Sequence, residues 1–327
     1  MGISMLISQQ PQLLPAPLDI PPGRLKLDTL IPWRPKKKVV VVMGATGAGK
    51  SRLSIDLATL FPAEIINSDK IQVHEGLDIV TNKITEEERK RVPHHLLGIV
   101  GPNTDFSASD FCDRASIAME KILSCGRLPV IAGGSNSYIE ALIDDVDHWF
   151  RSKYEPCFLW VDVAAPVLYQ YVSERVDRMV KNGMIDEVRE FFTVNGDYKQ
   201  GIRKAIGVPE FDMFFRLEPF LDKESRAMLL KKAIQEIKNN TCKLADRQLE
   251  KIHRLRNVKK WNIHRLDATE VFNRKGNEAD EAWEELVAGP STEIVAQFLY
   301  SDATKAELAA RSLLRPSKDY IAQCHVA

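Results

Sequence analysis

Short apolar runs alternate with helical spacing through the first half of the chain. Val39-Val40-Val41-Val42-Met43 is an unbroken run of mostly β-branched residues and predicts a buried strand. The period then changes, and residues 51–60 place Leu53, Leu57 and Leu60 on one helical face. Residues 63–67 predict a second strand, 128–132 a third and 157–163 a fourth. Between them, residues 85–91 predict a short charged helix. Residues 105–126 predict a longer one, capped near Ser107 and broken at Gly126. Strand and helix in alternation argue for a parallel sheet with helices on both faces.

Beyond residue 166 the rhythm becomes helical. Val172, Val176, Met179 and Val180 share a stripe, and Pro209 and Pro219 interrupt the pattern. Residues 223–256 predict a long, heavily charged helix. Residues 261–266 predict a last strand that rejoins the sheet, and two or three amphipathic helices follow from Glu278. The expected division is a leader at 1–38, a core at 39–165, a helical insertion at 166–222, a return to the core at 223–300 and a helical tail at 301–327.

The junction after the first strand carries the strongest chemical signal. Gly44-Ala45-Thr46-Gly47-Ala48-Gly49-Lys50-Ser51 is a G-x-x-x-x-G-K-S loop between a strand and a helix. Such a P-loop turns backbone N–H groups and a helix N-terminus toward an anion. Lys50 adds a point charge, and the Ser51 hydroxyl is suited to Mg²⁺. The fold class is therefore α/β, a P-loop parallel sheet flanked by helices, with a helical insertion. Asp69 ends the second strand, and open α/β sheets bind ligands outside the carboxyl ends of their strands. A carboxylate there can ligate a metal through water or accept a proton; the plainer alternative is an Asp that caps the next turn. Gly133-Gly134-Ser135 repeats the strand-end pattern after the third strand.

Composition narrows the classes. Lys+Arg and Asp+Glu both number 45, so net charge does not suggest a strongly basic nucleic-acid binder. Cys112, Cys125, Cys157, Cys242 and Cys324 show no C-x-x-C pairing and read as free thiols of a reducing compartment. No apolar run is long enough for a transmembrane helix. The proline-rich first 38 residues carry two acids, Asp19 and Asp28, and suit a disordered leader or an organelle-targeting segment. Three further signals carry less. Phe158–Asp162 resembles a Walker B strand, His94-His95 lacks partners at metal-ligand spacing, and Asn82-Lys83 lacks the Asp of a guanine-specificity motif.

Six motifs occur in order: Gly44–Ser51, Asn67-Ser-Asp-Lys-Ile-Gln72, Pro93-His-His-Leu-Leu-Gly98, Gly133-Gly-Ser-Asn-Ser-Tyr138, Arg203-Lys-Ala-Ile-Gly207 and Ala245-Asp-Arg-Gln248. Together they resemble the isopentenyltransferase family, most nearly its plant adenylate isopentenyltransferases of cytokinin biosynthesis, over residues 38 to 300. The resemblance implies dimethylallyl transfer from dimethylallyl diphosphate to the N6 amine of adenine in ATP or ADP, with Mg²⁺. It implies the P-loop, Lys50 and Thr46 on the diphosphate, Arg151 as a further diphosphate contact and Asp69 as the group that takes the N6 proton. Lys204 and Arg247 are the candidates to grip the acceptor's phosphates. The resemblance favours a plastid, with the cytoplasm as the alternative, and implies neither DNA nor membrane as partner. The oligomeric state is not set by the sequence. The enzyme alternatives are a tRNA dimethylallyltransferase and a P-loop small-molecule kinase. The absence of a terminal Cys/His zinc module and the Ser68-Asp69-Lys70-Ile71-Gln72 wording favour a free nucleotide over tRNA. A nucleotide-regulated binding module is the non-enzymatic alternative.

Overall fold

The computed structural model describes residues 36–145 and 149–300. The expected leader up to residue 35 and the tail at 301–327 lie outside the described residues. Six parallel strands build one sheet: β1 (Lys37–Gly44), β2 (Ala63–Asn67), β3 (His94–His95), β4 (Leu128–Ala132), β5 (Tyr154–Asp162) and β6 (Ile263–Asp267). Their order across the sheet is β3-β2-β4-β1-β5-β6. The valine run is the central strand, and Val39, Val40, Val41, Val42 and Met43 are fully buried. A strand covered on both faces has no polar alternation, which is why it reads as continuous apolar sequence. The strand begins at Lys37, two residues before the apolar run, because Lys37 and Lys38 pair with Tyr154 and Glu155.

The period of two sends alternate residues to opposite cores. Val40, Val42, Leu159 and Val161 join a cluster with α1 (Lys50–Leu60). Val39, Val41, Met43, Phe158 and Trp160 join another with α2 (Ala108–Ser124) and α3 (Asn136–Ile143). Ser107 caps α2 through a full capping box with Asp110. A short helix, α4 (Trp149–Lys153), leads into β5, and α5 (Ala165–Lys181) leaves it.

A third cluster forms the insertion. It is built from α5, α6 (Met184–Phe191), α7 (Asp212–Leu217) and the first turns of α8 (Lys223–Asn257), around Phe211, Phe214, Phe215, Ala233 and Ile237. α8 runs 35 residues and its buried stripe is Ala233, Ile237, Thr241, Ala245, Gln248, Ile252 and Leu255. That stripe touches all three clusters in turn. Past β6 come α9 (Thr269–Asn273) and α10 (Asn277–Trp283). A π turn at Glu284–Ala288 follows, and the helix continues to residue 300.

Two expectations change, and one edge strand is added to those expected. Residues 85–91 form turns instead of a helix. Thr85 and Glu88 do make reciprocal capping bonds. Lys90 and Arg91 then take positive φ of 49° and 64°, which ends propagation after one turn. His94-His95 supplies an edge strand, and His95 Nε2 pairs with Glu64 Oε2 at 2.6 Å. Of the amphipathic helices expected from Glu278, the part up to residue 300 is one helical run broken by the π turn.

Candidate active site

The P-loop lies at the carboxyl end of β1, and four elements brace it. Gly44 packs under the Val161 carbonyl of β5, and Gly47 packs against Val172 of α5. Gly49 has φ +102° and faces Trp283 of α10, where a Cβ would come within 2.8 Å of the indole. Glycine alone satisfies both demands at that position. Trp283 is itself held, its Nε1 donating to Asp56 Oδ2 at 2.8 Å and its ring lying under Arg52. From α8, Gln248 Oε1 accepts from the Thr46 N–H at 2.7 Å.

Two cations converge on this loop. Lys50 Nζ donates to the Ala45 carbonyl at 2.8 Å. Burial lowers its pKa to about 8, a shift that the Asp69 charge opposes and Arg175 reinforces. Arg175, on α5, donates from Nη2 to Thr46 Oγ1 at 3.0 Å. Its Nε is buried and has no hydrogen-bond partner among the described residues. Burial also lowers the Arg175 pKa. Thr46 Oγ1 accepts in that contact, so its own proton is what it offers a ligand.

Asp69 stands at the end of β2, in the same crevice. Its Oδ1 accepts from the backbone N–H groups of Ile71 at 2.8 Å and Gln72 at 3.2 Å. The turn-capping reading of Asp69 is therefore correct for one oxygen. Oδ2 faces Gly134, 3.6 Å from where a Cβ would stand. Asp69 thus has one oxygen to fix its orientation and another left for chemistry. Nearby, Tyr138 donates to the Phe106 carbonyl at 2.6 Å, and burial pushes its pKa up to about 12.

The IPP transferase family model matches residues 72–153 and 147–254. The chain is 57% identical to adenylate isopentenyltransferase 3, chloroplastic, of Arabidopsis thaliana, a match that spans 100% of this chain and 99% of the relative. The chain belongs to the IPP transferase family. It is also 44% identical to adenylate isopentenyltransferase of Humulus lupulus, over 79% of this chain and 89% of the relative. Among solved structures, a eukaryotic dimethylallyltransferase acting on tRNA matches with TM-score 0.69 and 24% identity, covering 81% of this chain and 80% of that one. The tRNA isopentenylpyrophosphate transferase of Bacillus halodurans matches with TM-score 0.62 and 28% identity, covering 80% and 99%. The P-loop sheet of this IPP transferase is the fold those structures share.

The other expected residues lie elsewhere. Ser51 opens α1 with an exposed side chain beside Lys50. Arg151 is not brought to the crevice. It precedes Tyr154, which pairs with Lys37, whereas Val161 pairs with Gly44 of the P-loop. The two ends of β1 stand about 23 Å apart at 3.3 Å per residue. Arg151 instead pairs with Asp144 at 2.9 Å and lies over the Trp261 ring. Arg247 is on the exposed side of α8 and donates to the Lys243 carbonyl of its own helix. Lys204 pairs with Asp105 at 3.0 Å and acts electrostatically on His74, in the segment that follows Asp69. Asp162, which ends β5 as a Walker B strand would, is held by Arg265 at 2.7 Å. Among the described residues no group of three His, Cys, Asp or Glu is arranged to hold a metal.

Sequence reasoning missed Arg175 and Gln248. Arg175 reads as one more charge on an amphipathic helix, though it adjoins Val176 of the buried stripe. Gln248 gives a clearer signal, a polar residue where the α8 period calls for an apolar one.

Proposed function

We propose that this IPP transferase moves the dimethylallyl group from dimethylallyl diphosphate to the exocyclic N6 of adenine in ATP or ADP. The observation that carries this reading is the opposition of Asp69 to two cations across one crevice. Asp69 is close enough to Lys50 to act on its protonation, and it keeps one oxygen uncommitted. A diphosphate belongs on the cationic side, against the P-loop amides, Lys50 and Arg175. The amine that attacks belongs on the carboxylate side.

The chemistry asks for both. As the C1–O bond of the donor breaks, negative charge grows on the leaving diphosphate. Fixed donors in a partly dry site stabilise that charge. Lys50, Arg175 and the Thr46 hydroxyl are such donors. The allylic cation is captured by N6, whose lone pair is delocalised into the purine and nucleophilically weak. The N6–C1 bond forms, and the excess N6 proton passes to Asp69 Oδ2. The Ser51 hydroxyl fits Mg²⁺, which takes few protein ligands and completes its shell with water and phosphate oxygens; when bound it supplies further charge neutralisation at the diphosphate. Lys204 is the remaining candidate for the acceptor's phosphates.

The acceptor reading rests on relatedness. Relatives named for adenylate run from 40% to 61% identity, against 24% and 28% for the two solved tRNA-acting structures. The relative matched over the whole chain is named chloroplastic, which supports a plastid location. The test offers purified protein dimethylallyl diphosphate and Mg²⁺ with ATP, ADP, AMP or unmodified tRNA. N6-prenylated ATP or ADP is the expected product. Product on tRNA alone transfers the reading to the tRNA enzymes, and loss of the γ-phosphate without prenylation transfers it to a kinase.

A further inference from the structure

The P-loop ends β1 and the Asp69 turn ends β2, and the two strands are separated in the sheet by β4. Whatever sets the distance between leaving group and proton acceptor must therefore pass across the end of β4. The Gln248 side chain does so. The Gln248 carboxamide accepts from the Thr46 N–H at 2.7 Å through Oε1 and donates to the Gly134 carbonyl at 3.0 Å through Nε2. Its backbone carbonyl accepts from Asn136 Nδ2 at 3.1 Å, which locks α8 to the start of α3. From Gly134 the path continues to the carboxylate. Ser135 N–H donates to the Ser68 carbonyl, and Ser135 Oγ accepts from the Lys70 N–H, on the two sides of Asp69. Gly134 itself is the point of closest approach: a Cβ there would stand 2.4 Å from Gln248 Nε2 and 3.6 Å from Asp69 Oδ2.

We propose that Gln248 is a positioning residue for the transfer reaction, a strut whose carboxamide sets the spacing between the diphosphate loop at Thr46 and the proton acceptor Asp69. The proposal rests on the transfer reaction proposed above. The chemistry of the side chain suits the role. Thr46 presents a donor and Gly134 an acceptor, so the strut must accept at one atom and donate at the other. A neutral carboxamide does both at fixed separation. A carboxylate accepts at both and would face the Gly134 carbonyl with negative charge; a thioether of the same length makes neither bond. Gln248 is nearly buried, so losing its bond to Thr46 leaves that N–H unsatisfied, whereas the Gly134 carbonyl keeps the Asn136 N–H at 3.1 Å. The bond at Thr46 also removes that N–H from the set available to the diphosphate, which leaves the hydroxyl as the working group of Thr46.

The test is steady-state kinetics of the full chain with dimethylallyl diphosphate, ATP and Mg²⁺, with wild type beside Gln248→Met and Gln248→Glu. Misplacing reacting groups by about 1 Å can cost about 10²-fold in rate, so Gln248→Met is expected to lose about 10²-fold in kcat with little change in the KM for ATP. Gln248→Glu carries the sharper signature. A protonated carboxylic acid accepts at one oxygen and donates from the other, as the carboxamide does. Burial and the Asp69 charge favour the neutral acid, and the Lys50 and Arg175 charges favour the carboxylate. The neutral fraction grows as the pH falls from about 8 to about 5, so kcat relative to wild type should rise across that range. A purely structural role would lower thermal stability and leave the relative pH profile flat. Wild-type kcat in folded Gln248→Met, or a Gln248→Glu profile parallel to wild type, overturns the strut. If Gln248→Met does not fold, the pH profile of Gln248→Glu decides. A wild-type protein that makes no product overturns the transfer reaction itself, a result distinct from an active wild type with unaffected variants.

Discussion

The two edges of the sheet are both rich in cations, and they differ in what those cations touch. At the amino edge, Arg151, Lys259, Lys260, Trp261 and Asp144 line a cavity of about 730 Å³. Arg151 and Lys259 there share the carboxylate of Asp144, at 2.9 Å and 3.2 Å. The Arg151 side chain is 42% exposed. At the carboxyl edge, Lys50 is spent on a backbone carbonyl and Arg175 on a hydroxyl, and the Arg175 Nε has no partner among the described residues. Arg151 and Lys259, half-exposed and neutralised by Asp144, are at rest. Cations held among amides and hydroxyls, with burial depressing their pKa, keep their charge in reserve for an anion. Counting positive residues would not separate these edges; asking which of Arg151, Lys259, Lys50 and Arg175 is hydrogen-bonded to a carboxylate does.

Asp69→Asn should break the site most completely. It keeps the turn cap through its remaining oxygen but removes the proposed proton acceptor, so kcat should fall about 10²–10⁴-fold with smaller changes in either KM, read by product assay. Lys50→Met and Arg175→Met come next. Each removes a donor from the leaving group, and each should cost about 10²–10³-fold in kcat/KM for dimethylallyl diphosphate. Equal losses in the two would place Arg175 on the diphosphate beside Lys50.

A pH series sharpens the contrast by a smaller amount. The Lys50 ammonium has its pKa lowered from 10.5 to about 8 by burial, so in the free protein it is half discharged near that pH and mostly neutral above it. The KM for the donor should rise above about pH 8, while the KM for the acceptor follows a separate course. Stability runs the other way. The unfolded lysine stays protonated between about 8 and 10.5 while the buried one has lost its proton. The cost of burying the charge therefore fades across that window, and the ligand-free protein gains stability from this group as pH rises. A thermal-shift series without ligand reads that term. Arg151→Gln should do least. An exposed ion pair contributes about 0–1 kcal/mol, so turnover and melting temperature should stay near wild type. A collapse of donor kcat/KM in Arg151→Gln would break the comparison of the two edges.

Much of the sheet was legible because its strands are buried on both faces and announce themselves as apolar runs. The P-loop was legible because its glycines and Lys50 sit between a strand and a helix in one stretch of chain. Asp69 followed from the rule that ligands lie at carboxyl ends. The same rule bears on Arg151, which stands before its strand and so at the far edge; the family resemblance placed it on the diphosphate against that geometry. In the Ala245-Asp-Arg-Gln248 motif the charge drew attention to Arg247, which points to solvent. The neighbour that matters is neutral and takes an apolar position in the stripe of α8. Arg175 could not be read, because its partner Thr46 is 129 residues away and no local pattern records that distance. The turns at 85–91 escaped for the opposite reason. The charged segment suggested a short helix, and the positive φ of Lys90 and Arg91 is invisible in composition.

The bond from Thr46 to Gln248 spans 202 residues, and the indole that seats Gly49 comes later still, at Trp283. The diphosphate loop is among the first parts of the described chain to leave the ribosome and among the last to be finished. Until the closing helices have been synthesised and docked, Gly49 lacks its brace and Thr46 its strut, and only β5 and α5 stand behind Gly44 and Gly47. A nascent chain therefore carries the phosphate-binding motif in full with half of what holds it in shape, and translation itself delays completion of the site.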